Sequence, residues 1–101
     1  MNNYVLEVAV FTVKEEEVKN IPQIRVGLRK ALRDFKGLLQ LDTYSPAGND
    51  RVFADLAKWD CLENAVAASQ AFEAGDERFL PYLKAIAEVK FFGHFRPSSA
   101  A

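Results

Sequence analysis

The apolar positions change period several times along the chain. From Val5 to Val13 they are dense, rich in β-branched residues and free of Gly and Pro, which predicts a first strand. Charge breaks it from Lys14 to Lys19. Ile21, Ile24, Leu28, Ala31, Leu32 and Phe35 then follow at helical spacing, with Asn20 as N-cap, Pro22 early enough to be tolerated and Gly37 as the stop. Leu38 to Tyr44 predicts a second strand and Ser45-Pro46-Ala47-Gly48-Asn49-Asp50 a turn. Arg51 to Trp59 predicts a third strand, paired with the second as a hairpin. Asp60 with Glu63 has the form of an N-terminal capping arrangement, ahead of an alanine-rich helix ending near Ala74, with Gly75 as its stop. Asp76 to Ala87 carries Phe79, Leu83 and Ile86 in a shorter helical stretch, whose start Pro81 blurs. Val89 to Arg96 predicts the last strand, and Pro97 to Ala101 a loose tail.

The resulting order is β-α-β-β-α-β, with no linker and no low-complexity stretch. It predicts a single α+β domain over residues 1–101, with a four-stranded antiparallel sheet covered by helices on one face. Side chains alternate across a strand, so the two faces can be read separately. Tyr4, Leu6, Val8, Val10, Val52, Ala54, Leu56, Val89, Phe91 and Phe95 make one face, nearly all of it apolar. Left bare, it would exceed the few hundred Å2 usual on a monomer. The same face of a second copy is the simplest cover, so a homodimer is expected. The other face is apolar but interrupted by Glu7, Asp55, Lys90 and His94, with Trp59 at its end. Polar groups under helices are costly unless they are paired or line a wet cavity, which places the expected ligand pocket here.

Composition narrows the function classes. Half the residues are hydrophobic, 27% are charged and the net charge is −1, which is globular composition without the basic footprint of a nucleic-acid partner. The basic positions Arg25, Arg29, Lys30, Arg33 and Lys36 read as a solvated helix face. No apolar stretch approaches the roughly 20 residues of a membrane span. Met1-Asn2-Asn3-Tyr4 lacks the features of a signal peptide. Cys61 is the only cysteine, which forbids an internal disulfide or a cysteine-built metal site and reads as structural. A cytoplasmic location is expected. No metal-ligand cluster and no dinucleotide fingerprint stands in the sequence, so no metal and no cofactor are expected.

The run Phe53-Ala54-Asp55-Leu56-Ala57-Lys58-Trp59-Asp60, followed by Glu63-Asn64-Ala65 and Ala67-Ala68, resembles the antibiotic biosynthesis monooxygenase family. A tryptophan closing the third strand, an acidic helix cap and an alanine-rich helix form the pattern, and strand order and length fit over residues 4–96. The resemblance implies a ferredoxin-like fold whose subunits pair as a dimeric α/β barrel. Active members of that family fall into two groups. One oxidises aromatic polyketide or quinol substrates with O2 and no prosthetic group; the other binds and degrades haem. In the first group an amide or acid and a tryptophan stand four residues apart on the third strand and face the pocket, as Asp55 and Trp59 do in spacing here. The tyrosine and arginine that some of those enzymes carry on the second helical region are not evident, and Ala65 stands about where the tyrosine would be. Haem-binding members use a histidine from the second half's helices, whereas His94 lies on the last strand.

Asp55 is the first candidate base: a carboxylate under apolar cover has its pKa raised toward working pH and can take a proton from a phenol or enol. The alternatives are an ion pair with Lys90 or Arg51, or exposure at a strand end. Glu7 is either a second acid or base or a partner of Lys90 or His94. His94 is either a general base or an ordinary surface or interface residue. Trp59 either stacks on a flat ligand or pins the second helix to the sheet. Phe11, Phe53, Phe72 and Phe92 complete the candidate substrate-binding set, and Tyr44 and Tyr82 are further hydrogen-bonding groups. Three functions compete: a cofactor-independent monooxygenase on a small aromatic or quinol, a non-catalytic ligand-binding or stress-related dimer, and an oxygen-independent isomerase.

Overall fold

The computed structural model describes residues 3–98. Met1 and Asn2, part of the leader-sequence reading, and Ser99 to Ala101, most of the expected tail, lie outside the described residues. Strand β1 (Val5–Val13) is followed by a 3-10 turn (Glu15–Asn20), helix α1 (Ile21–Arg33), strands β2 (Leu38–Tyr44) and β3 (Val52–Trp59), and helix α2 (Leu62–Glu73). A second 3-10 turn (Glu77–Phe79) leads into helix α3 (Leu80–Ala85) and strand β4 (Ile86–Phe95). The sheet has the order β2-β3-β1-β4, every neighbouring pair antiparallel. It is the α+β, ferredoxin-like arrangement expected. The single chain leaves its four strands open, so a barrel requires a second sheet.

Alternation along β3 decides where the core lies. Phe53, Asp55, Ala57 and Trp59 are buried on the helix side, while Val52, Ala54, Leu56 and Lys58 are half-buried on the other. Trp59 and Ala65 are fully buried, and Phe79 and Phe11 nearly so. From α1 the stripe Leu28, Ala31 and Leu32 descends onto the sheet, each large member contributing about 1.5–3 kcal/mol by leaving water. From α2 only Ala65 and Ala68 are buried, and their small side chains set that helix close to the strands. Rings of Phe11, Phe35, Phe72, Phe79 and Tyr82 meet at centroid distances of 5.3–5.7 Å between the two layers, within the range that aromatic pairs favour.

Three local expectations are corrected. The first concerns β4. Its register against β1 slips twice, so Val10 faces Phe91, Phe11 faces Val89 and Val13 faces Ile86. The bulge at Lys90 places two residues against one, and one extra residue transfers everything beyond it to the opposite face. Val89, expected on the outer face, therefore lies on the helix face opposite Phe11. Lys90, expected among the inward polar groups, is exposed and pairs with Glu88 at 3.3 Å. The second concerns the cap of α2, which is Cys61 rather than Asp60. Asp60 Oδ1 accepts instead from Asn64 Nδ2 at 2.7 Å, and the Asp60 N–H donates to Gly37 O at 2.9 Å. Gly37 has φ +93°, and a Cβ on it would collide with the Asp60 carboxylate, so glycine is required at this close approach. The third concerns Asn20, which does precede α1 but spends its side-chain amide on Glu17 at 3.0 Å rather than on the helix N-terminus.

The outer face is apolar, as expected. Leu6 faces Phe95, Val8 faces Gly93 and Val10 faces Phe91 across β1 and β4. Phe91 and Phe95 stack over Gly93 at 5.9 Å and remain 46% and 47% exposed. No helix among the described residues is long and apolar enough to cross a membrane.

Candidate functional site

Between the helix face of the sheet and the helices lies a cavity of about 240 Å3. β1 provides Glu7, Ala9 and Phe11 to its floor, and β3 provides Asp55 and Ala57. Its roof includes Leu28 and Leu32 of α1 and Phe72 of α2, with Phe79 and Tyr82 closing the side. Glu73, Val89 and Phe92 line it while remaining exposed, so it opens between the end of α2 and the edge strand β4.

Asp55 is the best-enclosed carboxylate, 5% exposed, and it does not stand alone. Arg25 reaches down from α1 and donates Nη2 to Asp55 Oδ1 at 2.9 Å and to Tyr44 O at 2.7 Å. Its Nη1 donates to Ser45 Oγ at 3.1 Å, and its guanidinium lies over the Phe53 ring at 5.3 Å. The hydroxyl of Tyr82, from α3, donates to Asp55 Oδ2. Burial raises the Asp55 pKa above the ordinary carboxylate value, and the Tyr82 hydrogen bond and the Arg25 charge oppose that rise. Burial likewise pushes the Tyr82 phenol well up, helped by the negative charge of Asp55 beside it.

A second acidic group faces the same cavity. Glu7 is paired across the strands with Ala57 on one side and His94 on the other, and its Oε1 lies 3.0 Å from His94 Nε2. Burial raises the Glu7 pKa, opposed by the hydrogen bond and charge of His94. Because Asp55 faces Ala9, Glu7 and Asp55 are diagonal neighbours on adjacent strands, with Cα atoms about 7–8 Å apart.

The structure thus brings Asp55, Glu7, Phe11, Phe72 and Phe92 to one cavity, with His94 behind Glu7 and edge-on to Phe92 at 5.3 Å. Two candidates stand elsewhere. Trp59 is fully buried at the end of β3 and does not line the cavity, and its indole N–H has no hydrogen-bond partner among the described residues. Phe53 is buried against Phe11 and under Arg25, beside the cavity rather than in it. The ion-pair alternative for Asp55 is realised, but by Arg25 and not by Lys90 or Arg51; Arg51 donates to Val13 O at 2.9 Å instead.

Sequence reasoning misses one residue of the site, Arg25, and leaves another, Tyr82, unranked. Arg25 was read as part of a solvated face, but it is half-buried, and Arg29 beside it donates to Leu41 O at 3.0 Å. Only Lys30, Arg33 and Lys36 of that set are exposed. Tyr82 is one of the two candidate hydrogen-bonding tyrosines, and the sequence reading does not rank it above Tyr44. Its separation from Phe79 by three residues, one helical turn, was the available signal. Among the described residues no group of three or more His, Cys, Asp or Glu side chains is placed to hold a metal ion.

No protein-family model matches the chain, and no curated protein sequence does. Solved structures do match in fold. A Bordetella bronchiseptica protein assigned to the antibiotic biosynthesis monooxygenases superposes with a TM-score of 0.80 at 11% identity, over 97% of this chain and 100% of that one. A conserved protein from Methanosarcina mazei superposes with a TM-score of 0.74 at 16% identity, over 95% and 94% of the two chains. SnoaB, a cofactor-independent oxygenase from Streptomyces nogalater, gives 0.67 at 15% identity, over 99% and 96%. The chain has the fold of the antibiotic biosynthesis monooxygenases, the family that its third strand and following helix resemble.

Proposed function

We propose that the protein is a cofactor-independent monooxygenase that acts on a small aromatic or quinol substrate in this cavity, as a homodimer joined through the outer sheet face. The observation that carries the proposal is Asp55, a carboxylate of raised pKa at the floor of an apolar, ring-lined cavity. A base with its pKa moved toward working pH is the better proton acceptor. Asp55 takes the proton of a phenolic or enolic hydroxyl, and the electron-rich anion passes an electron to O2. The superoxide and the substrate radical then join at carbon as a hydroperoxide, which loses water and leaves a carbonyl. One oxygen atom enters the product, the other departs as water, and the substrate supplies every electron that O2 takes up. Arg25 and Tyr82 hold the carboxylate in place, and Asp55 returns the proton it took to the peroxide. The likeness in fold to a cofactor-independent oxygenase supports the reading.

Oxygen uptake over a panel of hydroquinones, anthrones and flavonols tests it, with Asp55→Ala alongside. The expected result is saturable uptake that falls by about 10²–10⁴-fold in the variant, the usual contribution of a general base. Uptake that survives the substitution removes Asp55 as the base. A second reading, a non-catalytic ligand-binding dimer, draws on the fact that both Asp55 oxygens already have partners. Ligand binding with no oxygen uptake across the panel would favour it, and substrate turnover without O2 would favour an isomerase.

A further inference from the structure

A second cleft, of about 800 Å3, lies between α1 and the end of β2, and it shares no lining residue with the cavity. Arg25 donates to Tyr44 O and Ser45 Oγ, and Arg29 to Leu41 O, so α1 runs antiparallel to β2 along it. The cleft is apolar at one end and basic at the other. Val18, Pro22, Val26 and Pro46 line the end near the β2–β3 turn, where Val26 is 59% exposed. Arg29, Lys30 and Arg33 line the end toward the C-terminus of α1. Arg25 lies between, its charge answered by Asp55. Among the described residues no acid lines the cleft, and Arg29, Lys30 and Arg33 have no ion pair. Cations three and four residues apart on a helix are neighbours that repel, and Arg33 stands so to both Lys30 and Arg29. The C-terminal end of a helix dipole offers only about half a negative charge against these three cations. The remainder is left for an anion from outside the chain.

We propose that this cleft binds a small organic anion, with an apolar ring or short chain against Val26 and Pro46 and a phosphate-type head held by Arg29, Lys30 and Arg33. Charge complementarity selects the head. A carboxylate brings one negative charge, whereas a phosphate monoester brings nearly two at neutral pH and three acceptor oxygens. The planar fork of an arginine matches such oxygens in pairs. Arg29 is held by its Nη1 bond to Leu41 O, which leaves the rest of its fork to a ligand. Thr43 and Ser45 add hydroxyl groups along the wall. A bare ion would leave the apolar end unfilled, and an uncharged ring would leave the three cations unanswered. The site stands apart from the reaction proposed for the cavity, so either can fail without the other.

Amide chemical shifts of the full chain, followed by NMR during titration with naphthyl phosphate, naphthol or inorganic phosphate, test the proposal. Naphthyl phosphate is expected to move the Arg29, Lys30, Thr43 and Ser45 amides. It is expected to bind at least about tenfold more tightly than inorganic phosphate, the value of burying one ring. Lys30→Gln combined with Arg33→Gln, both at exposed positions, is expected to weaken it about tenfold, the value of two exposed ion pairs together. Arg29→Gln is expected to weaken it by at least about tenfold, the value of one hydrogen bond to a charged group. The exposed pair carries the test if that variant fails to fold. Binding should also weaken severalfold as salt rises from about 0.05 to about 0.5 M, because the cations at the basic end are screened. Naphthol or inorganic phosphate matching the ester at these amides would overturn the proposal. So would shifts confined to residues of the cavity, or an affinity indifferent to the double substitution.

Discussion

Replacing Tyr82 by Phe removes one atom from the Asp55 cluster and leaves the ring that packs at 5.3 Å on Phe11 and 5.6 Å on Phe72. Both partners of the lost hydrogen bond are buried, Tyr82 at 7% exposure and Asp55 at 5%. A hydrogen bond to a charged group contributes about 1.5–3 kcal/mol. Arg25 still neutralises Asp55, so the larger cost of a buried carboxylate with no counter-charge, about 3–5 kcal/mol, does not apply. The expected loss of stability is therefore about 1.5–3 kcal/mol, a large share of the roughly 5–15 kcal/mol that holds such a domain folded. Urea unfolding should show a lower midpoint with an unchanged slope. The same hydrogen bond holds the Asp55 pKa down, so its removal should move that pKa further up, read from the carboxyl carbon resonance during an NMR pH titration. A variant as stable as the parent, with Asp55 titrating as before, would refute the assignment of Tyr82 as a working partner of Asp55.

Two further predictions follow from the faces of the sheet and from its buried acids. Phe91→Asp places a charge on the outer apolar face beside Phe95; the expected outcome is a monomer in sedimentation equilibrium with the strand and helix content of the parent kept in circular dichroism, and a parent that is itself monomeric would remove the dimer. Glu7 and Asp55 have folded-state pKa values raised above their unfolded ones, so the folded protein binds more protons and stability falls as pH climbs from roughly 4 through the raised values. Glu7→Gln should flatten that slope in unfolding measured across pH. Asp76, held at about 2 by Arg78, works in the opposite sense, its contribution being lost as pH falls below roughly 4, outside that window.

The fold was legible in the sequence wherever a period was sustained. The strand Leu38–Tyr44 is found where it was expected, and β1, β3 and α2 begin and end within a residue or two of their patterns. Alternation along β3 correctly set Phe53, Asp55, Ala57 and Trp59 on one face. It failed along β4, because a bulge leaves no mark on composition: Lys90 and Val89 look ordinary in the chain, and only pairing with β1 shows that Phe11 meets Val89 and Val10 meets Phe91. One unpaired residue was enough to move Val89 from the outer face of the sheet to the helix face, where it lines the cavity mouth, and to leave Lys90 in solvent.

The site divides along the same line. Local pattern alone determined that Asp55 and Glu7 face the helices, because each follows from the period of its own strand. It also determined that the opposite face is apolar. Only tertiary structure decided which side chains answer those acids. Arg25 meets Asp55 across 30 residues of chain and Tyr82 across 27, and Glu7 meets His94 across 87. A side chain's period states which way it points, but a charge pair depends on distance between elements, which no single segment encodes. Trp59 shows the same limit from the other direction: its face was correct, but its fate as sealed core rather than cavity wall was set by the packing around the end of β3.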